Sequence, residues 1–111
     1  MYGKLLVAAT GVERFADINY LLSAGERIVN LERAFNVREG FGRKEDRLPE
    51  RILTEPLHTH GAPGDGEMVR EMEMFLDRYY ELRGWTRDGV PTASKLDELG
   101  LGQIVENREI P

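Results

Sequence analysis

The chain has 111 residues, enough for one modest hydrophobic core but not for two. Hydrophobic residues make up 41% and charged residues 32%, a balance typical of soluble globular proteins. With 15 lysines and arginines against 20 aspartates and glutamates, the net charge of −5 argues against a nucleic-acid partner. The absence of cysteine excludes disulfides, thiolate nucleophiles and iron–sulfur ligation by this chain's own thiols.

No stretch of the sequence approaches the roughly 18 to 20 apolar residues that are needed to cross a bilayer. The apolar run from Leu5 to Ala9 is also too short for a secretory signal. We therefore expect a cytoplasmic protein that has no membrane partner.

A long amphipathic helix is predicted from Ile18 to about Arg38, after a first helical piece that covers Gly3 to Ala9 and stops at Thr10-Gly11. Asp17 is a suitable N-cap and Gly40 a suitable end. We expect one face of the long helix to be buried, so replacing Ile28 or Phe35 by Ala should destabilise the fold by on the order of 2 to 5 kcal/mol. That face consists of Leu21, Ala24, Ile28, Leu31 and Phe35, flanked by Ile18, Leu22 and Val29. Gly25 is interpreted as a point of close approach by another helix.

The segment that follows is predicted to be mostly loop. The polar run 42–47 contains no apolar periodicity, and Pro49 suits the first turn of a short helix that ends at Ile52 or Leu53. Pro56 closes that helix. Three glycines and one proline fall among the nine residues from His58 to Gly66, so a mobile loop is predicted there.

The sequence predicts a second long amphipathic helix that ends at Gly84, and we expect Trp85 to pack under its end. A third, short helix begins after the N-cap Thr92 and stops at Gly100. The pattern from Leu101 to Pro111 is ambiguous. The apolar positions of these two helices are Met68, Met72, Phe75, Tyr79 and Leu82, and then Leu96 and Leu99.

The predicted fold class is all-α, because helical periodicity dominates and no sustained alternation of period two occurs. We expect a single helical domain over residues 1–111, a small irregular bundle with two long amphipathic helices and one or two short ones.

Two groups of polar residues could carry chemistry. His58 and His60 could ligate a metal ion together with Glu55 or Asp65, although neighbouring histidines in a Gly/Pro-rich loop are more often only solvated. No metal site is therefore expected. Carboxylate pairs could perform acid–base chemistry, but a solvated helix face and a helix-start signal are the favoured interpretations. Those pairs are Glu71 with Glu73 and Glu45 with Asp46.

Several separate motifs carry a family resemblance that covers nearly the whole chain. They are AATG at 8–11, GERIVNLERAFNVREG at 25–40, RKEDRLPER at 43–51, Glu55-Pro56, YYELRGWTRDGVP at 79–91 and KLDELGL at 95–101. In order and spacing they resemble the C-terminal segment of the tungsten-containing aldehyde:ferredoxin oxidoreductase family.

The resemblance implies a helical C-terminal fold and an oxidoreductase that converts aldehydes to carboxylic acids and passes electrons to ferredoxin. It also implies tungstopterin and a [4Fe–4S] cluster in the full-length protein. The family's cysteine ligands and its Asp-x-x-Gly-Leu-Cys-like pterin contacts precede the matching segment and have no counterpart here. We therefore expect no catalytic, cofactor-binding or metal-binding residue in this chain, and no catalysis by the chain alone.

Polar residues of the family-like helix are candidate contacts to other domains. One interpretation is that they hold the loop after Gly40 and cap helix ends through ion pairs. The other is that some face the remaining domains and line the cofactor cleft or substrate channel. Because Arg33 and Arg38 are five residues apart, they should point in different directions. The candidates are Arg27, Asn30, Arg33, Asn36 and Arg38.

Two hypotheses for function remain open. In the first, the chain is the C-terminal domain of an aldehyde:ferredoxin oxidoreductase, and its partners are the remaining domains or a separate subunit. In the second, it is an independent helical binding module or small subunit that kept the scaffold. Both predict an exposed apolar patch and self-association.

Overall fold

The computed structural model describes residues 1–58 and 60–103, so the ambiguous residues from Ile104 onward lie outside the described part. Its helices are, in chain order, α1 (Tyr2–Thr10), a 3-10 turn (Glu13–Ala16), α2 (Ile18–Arg38), α3 (Glu50–Thr54), α4 (Met72–Arg83) and α5 (Ala93–Glu98). Trp85 and Pro91 form an isolated antiparallel bridge, and the described residues contain no strand. The all-α prediction is confirmed.

The predicted limits of α2 are confirmed at both ends. The Asp17 carboxylate accepts a hydrogen bond from the Asn19 amide at 2.9 Å, as an N-cap does. At the other end Gly40 has φ of +90°, and the Phe41 amide donates to the Asn36 carbonyl. Because that left-handed conformation favours glycine, Gly40 ends the helix.

The prediction that α2 buries its apolar face is wrong. Ile28 is 59% exposed, Leu31 44% and Phe35 54%, whereas the buried residues of α2 are Asn30, Arg33 and Ala34. The periodicity located the apolar face correctly, but the described part of the chain covers only some of it. Leu21, Ala24 and Val29 are half-buried, whereas Ile28, Leu31 and Phe35 are left exposed. Gly25 is likewise not a point of helix contact, since a Cβ added there would have nothing within 4 Å.

Helix α4 also differs from its prediction. It begins at Met72, so Met68 lies outside the helix, and its buried residues are Leu76 and Tyr80. The predicted face is exposed at Phe75, Tyr79 and Leu82. Gly84 ends the helix with φ of +69°, as predicted.

The short helix α3 lies within two residues of its predicted bounds. Pro49 is the N-cap of α3 rather than its first helical residue, and α3 ends at Thr54. Further along, the Leu57 amide donates to the Glu67 carbonyl and the Gly66 amide donates to the Leu57 carbonyl.

Two small cores hold the second half of the chain together. One consists of Leu76, Tyr80 and Trp85, with Val29 and Met72 packed against it. The other consists of Leu96, Leu99 and Leu101, which confirms the predicted buried face of α5. The predicted cap of α5 is also present, since Thr92 accepts a hydrogen bond from the Lys95 amide.

The chain adopts an open shape. Its radius of gyration is 18.5 Å, compared with about 13 Å for a compact domain of this length. Among the described residues, no helix is long and apolar enough to cross a membrane. In this open shape the exposed apolar residues of α2 and α4 lack covering segments, so the chain buries little of its own apolar surface.

Candidate functional site

A cluster of polar and aromatic side chains joins α2, the loop after it, α4 and the turn that follows α4. We call this cluster the polar hub and define it as Asn30, Arg33, Asp46, Tyr80 and Trp85. Asn30 is fully buried and Arg33 is only 8% exposed, although both are polar. Buried polar groups are stable only when their hydrogen bonds are made, so the hub requires a specific set of partners.

Arg33 is the centre of the polar hub. Its Nη1 and Nη2 donate to the two carboxylate oxygens of Asp46 at 2.8 and 2.6 Å, a bidentate pair. Its Nε donates to the Gly89 carbonyl at 2.6 Å. One guanidinium thereby connects α2 to segments 13 and 56 residues further along the chain.

Aromatic residues complete the polar hub. The Tyr80 hydroxyl donates to Asp46 Oδ2, and the Trp85 indole N–H donates to Asn30 Oδ1 at 2.8 Å. The guanidinium carbon of Arg33 lies 5.0 Å from the centre of the Trp85 ring, within cation–π range. The Asn30 amide also donates to the Glu26 carbonyl, so each of these polar groups has a partner.

Gly89 permits the close approach of its backbone to the polar hub. It has φ of +77°, in the left-handed region. A Cβ at this position would lie 2.2 Å from Arg33 Nη2 and 3.0 Å from the Tyr80 hydroxyl. Both the turn conformation and the close packing of the Arg33 guanidinium therefore require glycine at this position.

The electrostatics of the polar hub favour a structural role over acid–base catalysis. Desolvation opposes ionisation of Asp46, but hydrogen bonds from Arg33 and Tyr80 outweigh it and lower the pKa of Asp46. Burial, followed by the hydrogen bond to Asp46, raises the pKa of Tyr80 to about 12. Neither group changes its charge near neutral pH, as an efficient proton-transfer catalyst must.

Arg43 fastens the outer side of the same loop. Its guanidinium lies 2.6 Å from the Glu73 carboxylate and 2.7 Å from that of Asp77, both on α4. The guanidinium also donates to the Arg87 carbonyl, and the backbone amide of Arg43 donates to the Asp88 carbonyl. The segment after α2 is thus tied to α4 and to the turn that contains Gly89.

The structure divides the five predicted contact residues into two groups. Asn30 and Arg33 are buried among this chain's own residues, so they present no surface to another domain. Arg27 and Asn36 are exposed, while Arg38 is half-buried, with its guanidinium carbon 4.7 Å from the centre of the Phe35 ring. Arg33 and Arg38 do point in different directions, as their spacing predicted.

The other candidate groups do not form a site. His58 and His60 are exposed, and the described residues contain no group of three or more His, Cys, Asp or Glu that could hold a metal ion. The expectation that Asp46 is only a solvated helix-start signal is wrong, because Arg33 and Tyr80 bind it. Glu45 accepts from the Gly42 amide at 2.8 Å, and Glu73 pairs with Arg43.

Sequence reasoning missed the polar hub as a unit. Its ion pair and hydrogen bonds join residues far apart in the chain, which local patterns do not reveal. A signal was nevertheless present: Glu26, Asn30 and Arg33 recur at i, i+4 and i+7, a polar stripe opposite the apolar one. Such a polar stripe on one side of a helix is a reason to expect buried polar contacts.

The comparisons with known proteins identify the family. Residues 1–101 match the family model described as "Aldehyde ferredoxin oxidoreductase, domains 2 & 3". The tungsten-containing aldehyde ferredoxin oxidoreductase of Pyrococcus abyssi is 48% identical over 94% of this chain and 16% of its own length. The enzyme of the same name from Thermococcus kodakarensis is 44% identical over the same shares.

More distant relatives have other names. An aliphatic sulfonate oxidoreductase, WOR-like subunit, from Pyrococcus furiosus is 30% identical over 76% of this chain and 14% of its own length. The solved active site complex BamBC of benzoyl coenzyme A reductase matches with a TM-score of 0.70 and 34% identity over 96% of this chain and 14% of that chain. The chain therefore spans about a sixth of the length of these curated tungsten-containing relatives, and it belongs to the aldehyde ferredoxin oxidoreductase family.

Proposed function

We propose that this chain works as the helical C-terminal part of a cytoplasmic, tungsten-containing enzyme that oxidises aldehydes to carboxylic acids and passes the electrons to ferredoxin. The observation that carries the proposal is the 48% identity to an enzyme with that name over 94% of the chain. The chain by itself is inert in this proposal, and its partner is the remainder of the enzyme, either on the same polypeptide or as a separate subunit.

The residues present here do not fit the family's cofactors as ligands. A [4Fe–4S] cluster is held by cysteine thiolates, and the sequence contains none. The described residues also lack a cluster of metal-ligating side chains. In the proposal, tungstopterin and the iron–sulfur cluster are therefore bound by the remainder of the enzyme, and no chemical step is assigned to this chain.

The role that remains for the chain is architectural. The polar hub fixes the loop 40–47 and the turn around Gly89 relative to α2 and α4. The exposed surfaces of these segments therefore keep fixed positions relative to one another. The same segment occurs in relatives named for an aldehyde, an aliphatic sulfonate and a coenzyme A thioester. This range supports a common scaffold whose substrate preference is set elsewhere.

A segment exchange tests the proposed function. The matching segment of the Pyrococcus abyssi enzyme is replaced by this chain, and the hybrid is assayed for tungsten content and for aldehyde oxidation with a viologen or ferredoxin acceptor. We expect the hybrid to retain both, and the enzyme without the segment to lose both. A hybrid that loses tungsten would contradict the proposal, as would stoichiometric tungsten or an iron–sulfur absorption band in the purified 111-residue chain.

A further inference from the structure

The outward face of α2 is apolar and uncovered. We define it as Ile28, Leu31 and Phe35, which follow one another at spacings of three and four and are each more than 40% exposed. A shallow groove of about 470 Å³ runs along it, lined by Leu31, Glu32, Phe35 and Asn36. Apolar side chains gathered on one side of a helix, with a groove between them, are typical of a surface that packs against another body.

The outward face has a basic edge. Arg27 and Arg38 are 11 residues apart, close to three helical turns, so both lie on the side of α2 next to Leu31. Arg38 pairs with Glu39 at 3.0 Å. Arg27 is exposed, and the described residues give it no ion pair. A complementary body would therefore present an apolar surface with a carboxylate opposite Arg27.

The size and shape of the chain indicate which body that is. This chain covers only 16% of the Pyrococcus abyssi enzyme, and its arrangement matches 14% of a solved chain with a TM-score of 0.70. The open shape, with a radius of gyration of 18.5 Å, is therefore also the shape of a segment inside a much larger polypeptide. A large body is present in such a polypeptide to cover the apolar face of α2.

We propose that the outward face of α2 docks against the cofactor-bearing remainder of the enzyme, with Arg27 paired to a carboxylate of that remainder. The inference rests on the proposed function for the identity of the partner. It differs from the charged surface that the sequence pattern favoured: in this inference the apolar side chains make the contact, and the arginine at its edge sets the orientation.

Thiol labelling in the segment-exchange hybrid tests the docking surface. The 111 residues contain no cysteine, so Ile28→Cys or Phe35→Cys introduces one thiol into a known peptide, which mass spectrometry separates from any other thiol. The matched control is Ser23→Cys, an exposed position on the same helix about 140° around from Ile28. We expect labelling at Ile28→Cys and Phe35→Cys to be at least ten-fold slower than at Ser23→Cys.

Two outcomes decide against the inference, and a third decides against the proposed function alone. Equal labelling at all three positions overturns it. Protection that develops in the 111-residue chain alone as its concentration rises, without protection in the dilute hybrid, would identify a second copy as the partner. Protection in a hybrid that oxidises no aldehyde would support the docking surface and contradict the proposed function, so the two failures can be told apart.

The orientation by Arg27 has a test of its own. In the hybrid that carries Phe35→Cys, Arg27→Glu should raise the labelling rate several-fold, because a like charge would then face the partner's carboxylate. Arg70→Glu, at an exposed position ahead of α4, is the control and should leave the rate unchanged. An equal effect of both changes would overturn the assignment of Arg27.

Discussion

The two sides of α2 have the opposite burial from the sides of a usual amphipathic helix: polar residues are buried and apolar residues are exposed. Its inward side contributes Asn30 and Arg33 to the polar hub, and its outward side exposes Ile28, Leu31 and Phe35. In a protein that folds around its own core the apolar side would be buried. The polar pattern of this helix therefore serves contacts within the chain, while its exposed apolar residues are the surface that we propose to dock against a partner.

The difference matters for stability because the two sides respond to different losses. Removing one partner of a buried ion pair leaves the other charge without compensation, a penalty of several kcal/mol. Removing an exposed apolar side chain leaves no cavity and changes little. The chain on its own should therefore be sensitive to changes at the polar hub and tolerant of changes on the outward face of α2.

The largest effect is expected for Asp46→Ala. Without the carboxylate, the buried Arg33 guanidinium and the Tyr80 hydroxyl lose a shared partner, so the free energy of unfolding should fall by roughly 3 to 5 kcal/mol. Urea unfolding of the chain measures it. Asp88→Ala, which removes an exposed carboxylate beside Gly89, is the control and should change stability by less than about 0.5 kcal/mol. A similar small change for both variants would show that the ion pair is dispensable.

A smaller effect, with a pH signature, is expected for Tyr80→Phe. The lost hydrogen bond to the charged Asp46 should cost roughly 1.5 to 3 kcal/mol near neutral pH. The folded-state pKa of Tyr80 is raised to about 12, above the ordinary value of 10.0, so its neutral form stabilises the fold fully below pH 10. That contribution is lost as the pH rises through about 12.

The measurement is unfolding free energy between pH 9 and the alkaline limit of stability. The difference between the original chain and Tyr80→Phe should shrink across this range, because the variant has no phenol to ionise. A constant difference would contradict the raised pKa.

The smallest effects are expected for Ile28→Ala and Phe35→Ala in the 111-residue chain. Both side chains are exposed, so each change should alter the free energy of unfolding by no more than about 0.5 kcal/mol, far below the 2 to 5 kcal/mol that the sequence pattern suggested. Leu76→Ala, in a small core, should by contrast cost roughly 2 to 5 kcal/mol. A cost of that size at Ile28 or Phe35 would show that the outward face is covered within the chain itself.

Local chemistry made the helix ends predictable. Asp17, Gly40, Gly84 and Thr92 each act through backbone groups within a few residues, and their roles follow from residue type and position alone. The start of α4 was not predictable in this way, because Met68 continues the apolar spacing although the helix begins at Met72. Periodicity identifies a face, but the boundary depends on whether the backbone groups find partners.

The candidate site was less predictable because its information is distributed along the chain. Arg33 was singled out from the sequence, but its partners Asp46 and Gly89 lie 13 and 56 residues away, and nothing in the local pattern links them. The exposure of Ile28, Leu31 and Phe35 was not predictable either, because periodicity locates an apolar face but does not show whether the rest of the fold covers it.

Because Arg33 bonds to a residue 56 positions further along the chain, its contacts must form in a definite order during synthesis. Helices form in about a microsecond, whereas Arg33 can meet the Gly89 carbonyl only after 56 further residues exist. At about 5 to 20 residues per second, ribosomal synthesis takes roughly 3 to 11 seconds to supply them. For that interval Arg33 lacks its Gly89 acceptor, although Asp46, only 13 residues further along, is already available to pair with the same guanidinium. We therefore expect Arg33 to pair with Asp46 first and to bond to the Gly89 carbonyl second.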